Sequence, residues 1–290
     1  MGKLRVILDT DIGDDVDDAY ALGLLACSPE VRLEAVTTNT GRTAARALIA
    51  RRMLDLAGLE EVPVYHGRPG PDPNKLGEQA AWAQNYHSHA PVMEGAVDEL
   101  VRRAAAEPGE LTLVAIGPLT NVGAALELDP NFGRNLRQLV IMGGSVVHGY
   151  EYGRRVAEYN IVHDTPASQK VFNCGADLVV VPLDATRMQQ VTPRRMAQLA
   201  VARNPVCDAI VELSALYHGE YPTLHDPRTC AVLLDERLAA AFPARLEVDR
   251  AGFTNHIAGE PNCRVVLEPM VELFFQTLWE RYLAGPVTRR

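Results

Sequence analysis

Six short apolar runs constrain the fold of this chain most: LRVILDT (4–10), RLEAVTT (32–38), VPVYHG (62–67), LTLVAIG (111–117), LRQLVIMGG (136–144) and ADLVVVPLD (176–184). They are rich in β-branched residues and apolar on both faces, which suits parallel strands buried between helices. Helical spacing fills most of the intervals, over 18–27, 43–56, 92–107, 119–128 and 166–174. Strand and helix in alternation predict right-handed βαβ units and a doubly wound, mostly parallel sheet with helices on both faces. Beyond Val191 the spacing predicts helices over 194–203, 207–218 and 229–241, a hairpin of 245–248 with 264–268, and a last amphipathic helix over 271–283. A chain of 290 residues is long enough for one large core, and a single domain over 1–290 with a helical C-terminal part is expected.

The net charge of −9 excludes a sequence-independent nucleic-acid binder and a protein that docks on anionic membrane, both of which need a basic face. The N-terminal residues show no secretory pattern, and no window approaches the ~18 apolar residues of a membrane span, so a cytoplasmic location is expected. Five scattered cysteines in no CxxC arrangement indicate neither a disulfide framework nor a zinc site and are read as buried thiols. Polar segments at 68–91 and 145–155 are candidate lids, with Trp82, Tyr86, His87 and His89 in the first, and Tyr150 and Tyr152 in the second.

The first strand runs into Asp9-Thr-Asp-Ile-Gly-Asp-Asp-Val-Asp-Asp18, six carboxylates in ten residues. Helix capping accounts for one or two of them. The rest would raise one another's pKa and destabilise the fold unless a cation compensates. An irregular set of carboxylates, carbonyls and water suits calcium better than magnesium, and either better than zinc. The same charge would repel a dinucleotide pyrophosphate, so a Rossmann-type site is excluded. A haloacid-dehalogenase-like phosphatase offers an alternative, with Asp9 as nucleophile, magnesium as cofactor and Lys170 as its lysine, although Gly13 stands where that pattern has Thr or Ser.

Five motifs run through the chain in order: Asp9-Thr-Asp-Ile-Gly13 with Asp17-Asp18-Ala19, Val36-Thr-Thr38 with Gly41, Ile116-Gly-Pro-Leu-Thr-Asn121, Met142-Gly-Gly144 with Ala157-Glu-Tyr-Asn160, and His225-Asp226-Pro227. Together they resemble the inosine-uridine preferring nucleoside hydrolases over essentially the whole length. The resemblance implies a calcium-dependent enzyme that hydrolyses the N-glycosidic bond of ribonucleosides to ribose and free base. It assigns Asp11 to calcium and to general-base action on the attacking water, and Asp18, Asp226 and the Ile116 carbonyl to the ion. Asp17 would hold the ribose 2′-hydroxyl, Glu158 and Asn160 the 5′- and 3′-hydroxyls, and His225 would lie beside the leaving base. Tyr152, in place of an asparagine, becomes a candidate substrate contact. Family members are commonly homodimers or homotetramers, acting in purine or pyrimidine salvage.

These residue types answer the chemistry. Breaking a ribosyl C–N bond builds oxocarbenium character, which carboxylates stabilise, while the poor leaving group needs a hydrogen bond or a proton. The chain departs from the family pattern in four places. Asp14-Asp15 are about two extra residues before Asp17-Asp18, with Ile12 in place of Pro; Arg42 replaces an Asn; the His-Gly-x-Asp-Gly lid motif is missing; and Tyr152 replaces the Asn mentioned above. The extra pair leaves Asp14 and Asp15 open as metal or ribose ligands, although the gapped register, with Asp17 and Asp18 in those roles, also aligns the helix start. A homologue that binds nucleoside without turnover is the remaining alternative.

Overall fold

The structure, a computed structural model, describes residues 2–287. The six apolar runs become strands β1 (Leu4–Thr10), β2 (Val31–Thr38), β3 (Val64–His66), β5 (Leu111–Ala115), β6 (Gln138–Met142) and β7 (Leu178–Val181), while β4 (Val92–Glu94) arises at the start of an expected helix. The later strands are β8 (Phe242–Val248), β9 (Thr254–Ile257) and β10 (Cys263–Val265). They form one ten-stranded sheet in the order β4-β3-β2-β1-β5-β6-β7-β10-β8-β9. All neighbouring pairs from β4 through β10 are parallel, and β8 runs antiparallel to both of its partners. Every residue of β5 and β7 is buried, as strands covered on both faces must be.

Two apolar clusters lie on the sheet. One joins Leu8, Val36 and Val114 to the helices Asp17–Ala26, Thr43–Leu56, Pro205–Ser214 and Val271–Ala284. The other joins Ile7, Leu113 and Ile141 to the helices Ala96–Ala106, Thr120–Leu128 and Thr165–Val171. Successive residues of one strand thus point into opposite layers.

Three segments differ from the sequence expectation. The helix expected from 92 starts at Ala96, because Gly95 adopts a left-handed φ of 86° and frees Val92–Glu94 to pair with β3. Within 229–241 the helix is His225–Ala231, followed by turns. The C-terminal hairpin is a three-strand ribbon, since β8 pairs with β10 and also with β9. Among the described residues no cysteine is bonded, four are buried and Cys174 is half-buried, and no helix is long and apolar enough to cross a membrane.

The chain lays β1 to β4 outward on one side, then returns to place β5, β6 and β7 on the other. The switch falls between β1 and β5, where a crevice opens beyond the carboxyl ends of the strands. The acidic loop leaves β1 at this point.

Candidate active site

A cleft of about 310 Å³ occupies the crevice. Its lining includes Asp11, Asp14, Asp15, Asp17, Asp18, Ile116, Glu158, Asn160, His225 and Asp226, which span most of the chain. Asp17 and Asp18 begin the helix after β1, and Asp226 lies in the first turn of His225–Ala231. Carboxylate oxygens of Asp17, Asp18 and Asp226 all lie within 4.8 Å of one another, and all three residues are buried. The backbone forces this proximity: Asp17 Oδ2 accepts from the amides of His225 (3.1 Å) and Asp226 (3.2 Å), so one acid caps the helix that carries the other.

Burial, then mutual repulsion, pushes the pKa values of Asp17, Asp18 and Asp226 well above the usual carboxylate range, and burial raises Asp11 to about 6. The nearby cation acts on Asp18 as the smallest of its influences and leaves all three pKa values raised. Arg46, fully buried, donates to the carbonyls of Asp11, Ile12 (3.1 Å) and Thr40 (2.7 Å) and pairs with Asp14 (2.8 Å). Three buried hard-oxygen donors without a facing cation fit a divalent ion. Asp14, by contrast, is turned toward Arg46 and Lys75, which outweigh its burial and lower its pKa. Asp15 accepts from the amide of Val16 at 2.7 Å.

The remaining motif residues hold this floor in place. Asp9 does not line the cleft. Its carboxylate accepts from Thr37 Oγ1 (2.6 Å), Asn39 Nδ2 (2.9 Å) and Asn121 Nδ2 (2.7 Å), tying β1 to β2 and to the helix Thr120–Leu128. An acid so enclosed is no nucleophile, and Lys170 pairs with Glu127 outside the cleft, so the phosphatase alternative loses both of its residues. At Gly117 a Cβ would lie 2.6 Å from Asp11 Oδ1, so glycine there leaves room for that carboxylate. The Ile116 carbonyl faces Asn160, whose Nδ2 donates to it (2.7 Å) and to Met142 O (3.1 Å). With its amide hydrogens engaged, Asn160 offers its carbonyl oxygen to a hydroxyl. Glu158 caps its helix and accepts from the amides of Gly144 (3.0 Å), Asn160 (3.0 Å) and Ile161 (3.2 Å); burial nevertheless raises its pKa to about 7. His225 Nδ1 lies 2.8 Å from Thr186 Oγ1, and burial lowers the ring's pKa to about 4, so the imidazole is neutral at pH 7.

The rim differs from the sequence expectation. Tyr152 is 78% exposed, stacks on His148 at 4.3 Å and lies outside the cleft; Tyr150 lines it instead, edge-on to His225. The loop offers two tyrosines two residues apart, and only the backbone path decides which one turns inward. In the 68–91 segment, Trp82 and Tyr86 bond to Glu212 and Asp55, and His87 and His89 are exposed. None of the four lines the cleft. Lys75 does, with Tyr159, and sequence reasoning missed it. Its rarity was the available signal, since the chain has only three lysines.

A doubly wound sheet whose switch-point crevice holds a buried carboxylate triad defines a metal-dependent α/β enzyme class. Comparison with known proteins makes the class specific: residues 6–276 match the inosine-uridine preferring nucleoside hydrolases, and the chain belongs to this family of N-ribohydrolases. It is 32% identical to the probable uridine nucleosidase 2 of Arabidopsis thaliana, over 78% of this chain and 76% of that one. Among solved structures, the plant nucleoside hydrolase PpNRh1 superposes with a TM-score of 0.84 at 27% identity, covering 97% of this chain and 99% of that one. The purine-preferring ribonucleoside hydrolase from Gardnerella vaginalis gives 0.82 at 26% identity, with the same coverage.

Proposed function

We propose that the chain, acting as one domain over 1–290, is a calcium-dependent ribonucleoside hydrolase that releases ribose and free base. The observation that carries this reading is the shared cleft: the Asp17, Asp18 and Asp226 triad opens onto the same space as Glu158 and Asn160. Asp18, Asp226, Asp11 and the Ile116 carbonyl would hold the ion, which supplies charge to orient and acidify the attacking water. Asp11 takes the water's proton as general base. Asp17 accepts from the ribose 2′-hydroxyl, while Glu158 and the Asn160 carbonyl accept from the 5′- and 3′-hydroxyls. The ribose is thereby fixed with C1′ over the floor, and the surrounding carboxylates favour the positive charge that develops there. His225 stands beside the base as a neutral hydrogen-bonding ring.

The named relatives include a uridine nucleosidase and a purine-preferring hydrolase, so the shared fold leaves base preference to the rim. The reading extends to a cytoplasmic homodimer or homotetramer in purine or pyrimidine salvage. The test is reducing-sugar release from a panel of purine and pyrimidine ribonucleosides, with calcium or with chelator. Calcium-dependent ribose release, reduced by Asp11→Ala at least ~10²-fold, is expected from the usual worth of a general base. Nucleoside-induced thermal stabilisation without ribose release would show a binding protein instead.

A further inference from the structure

One departure from the family pattern meets a candidate lid in space. Asp14, one of the extra residues in the acidic loop, accepts from Lys75 Nζ at 2.7 Å, and Lys75 belongs to the polar 68–91 segment. The contact is built from both sides. The loop is fixed by Arg42 N to Lys75 O (2.8 Å), Gly41 N to Pro69 O (2.7 Å) and Gln79 N to Gly13 O (3.0 Å), and Lys75 Nζ also reaches the Tyr159 hydroxyl at 3.1 Å. Asp14 Oδ2 is already paired with the buried Arg46, so two cations share one carboxylate. The Asp14, Arg46 and Lys75 group therefore carries a net positive charge, and Lys75 is the member of it that is a third exposed and faces the cleft.

Seven carboxylates line this cleft, and Lys75 is the only lysine or arginine among the described residues that do so. The carboxylates assigned to the ion and the sugar are buried at the floor, whereas Lys75, Tyr150 and Tyr159 form the more exposed rim. A ribose held at the floor projects its base toward the rim. Resting on the ribosyl-hydrolase reading above, we propose that Lys75, positioned by Asp14, is the catalytic cation that receives the negative charge of the departing base. The C1′–N bond breaks with its electron pair passing to the base nitrogen; the water oxygen bonds to C1′ and its proton passes to Asp11. The base leaves as an anion hydrogen-bonded to the ammonium and takes up a proton from solvent, to which Asp11 returns one, so that one water is consumed. A fixed positive group aimed at developing charge in a partly enclosed site is an effective form of catalysis.

Leaving-group chemistry tests this assignment. A ribonucleoside needs help to expel its base, whereas p-nitrophenyl β-D-ribofuranoside expels a stable phenolate. Lys75→Met is expected to lower kcat/KM on ribonucleosides by ~10². Its loss on the aryl riboside is expected to be at least tenfold smaller, with Lys75→Arg recovering part of the nucleoside rate. The calcium-induced rise in Tm, read on the same proteins, is expected to match the wild type. Equal losses on both substrates, an undiminished nucleoside rate, or disappearance of the calcium-induced rise in Lys75→Met would overturn the role of Lys75. A wild type that hydrolyses neither substrate overturns the hydrolase reading itself and this inference with it.

Discussion

Glu158 shows what burial does to a single residue of this cleft. Three backbone amides converge on its carboxylate, yet desolvation wins and its pKa rises to about 7, against 4.5 for a free glutamate. The folded chain thus holds a proton at this site between about pH 4.5 and 7 that the unfolded chain has released, so the contribution of Glu158 to stability falls as pH rises through that window. The shift corresponds to about 3 kcal/mol. In metal-free protein, Glu158→Gln is expected to flatten this part of the stability curve, as read from urea denaturation at pH 5 and pH 8. An unchanged slope would contradict the account. Residue by residue, the motifs revealed the floor well: Asp11, Asp17, Asp18, Asp226, Glu158, Asn160 and Ile116 all line one cleft. Asp9 was the instructive exception, because a motif acid can be needed to brace two strands and a helix rather than to touch a ligand.

Among the elements, the helix Thr43–Leu56 holds the acidic loop through Arg46 although it contributes nothing to the cleft lining. Its buried Arg46 satisfies the carbonyls of three buried residues and the partly exposed carboxylate of Asp14. Arg46→Met would strand those acceptors and leave Asp14 paired with Lys75 alone. A loss of about 3–5 kcal/mol in urea unfolding is expected, the usual cost of removing one partner from a buried charge network. A loss below ~1 kcal/mol would show that the loop holds its shape without this helix. The positions of β1, β2, β3, β5, β6 and β7 were readable because their apolar runs are short and have no polar face, whereas β4 and β9 were not, and the span of this helix followed from its spacing. The rim was not readable. Which residue of 68–91 faces inward depends on backbone bonds between Gly41, Arg42 and Gly13 and the loop, and spacing carries no trace of contacts made across such distances.

At the scale of the whole molecule, the sheet order explains why acids from the beginning, middle and end of the chain share one space. β1 and β5 sit at the switch point, and the C-terminal helices close the cleft by presenting His225 and Asp226 to the cap made by Asp17. The fold thereby gathers acids that it does not itself neutralise, and a divalent ion, calcium on the function proposed above, would complete it. Calorimetric titration of the metal-free protein with calcium at neutral pH tests this claim most directly. One calcium per chain is expected, with binding weakened at pH 5.5 as protons compete for the raised carboxylates, and with the heat abolished in Asp226→Asn. The absence of a saturable calcium site in the wild type, or the same binding in Asp226→Asn, would contradict it.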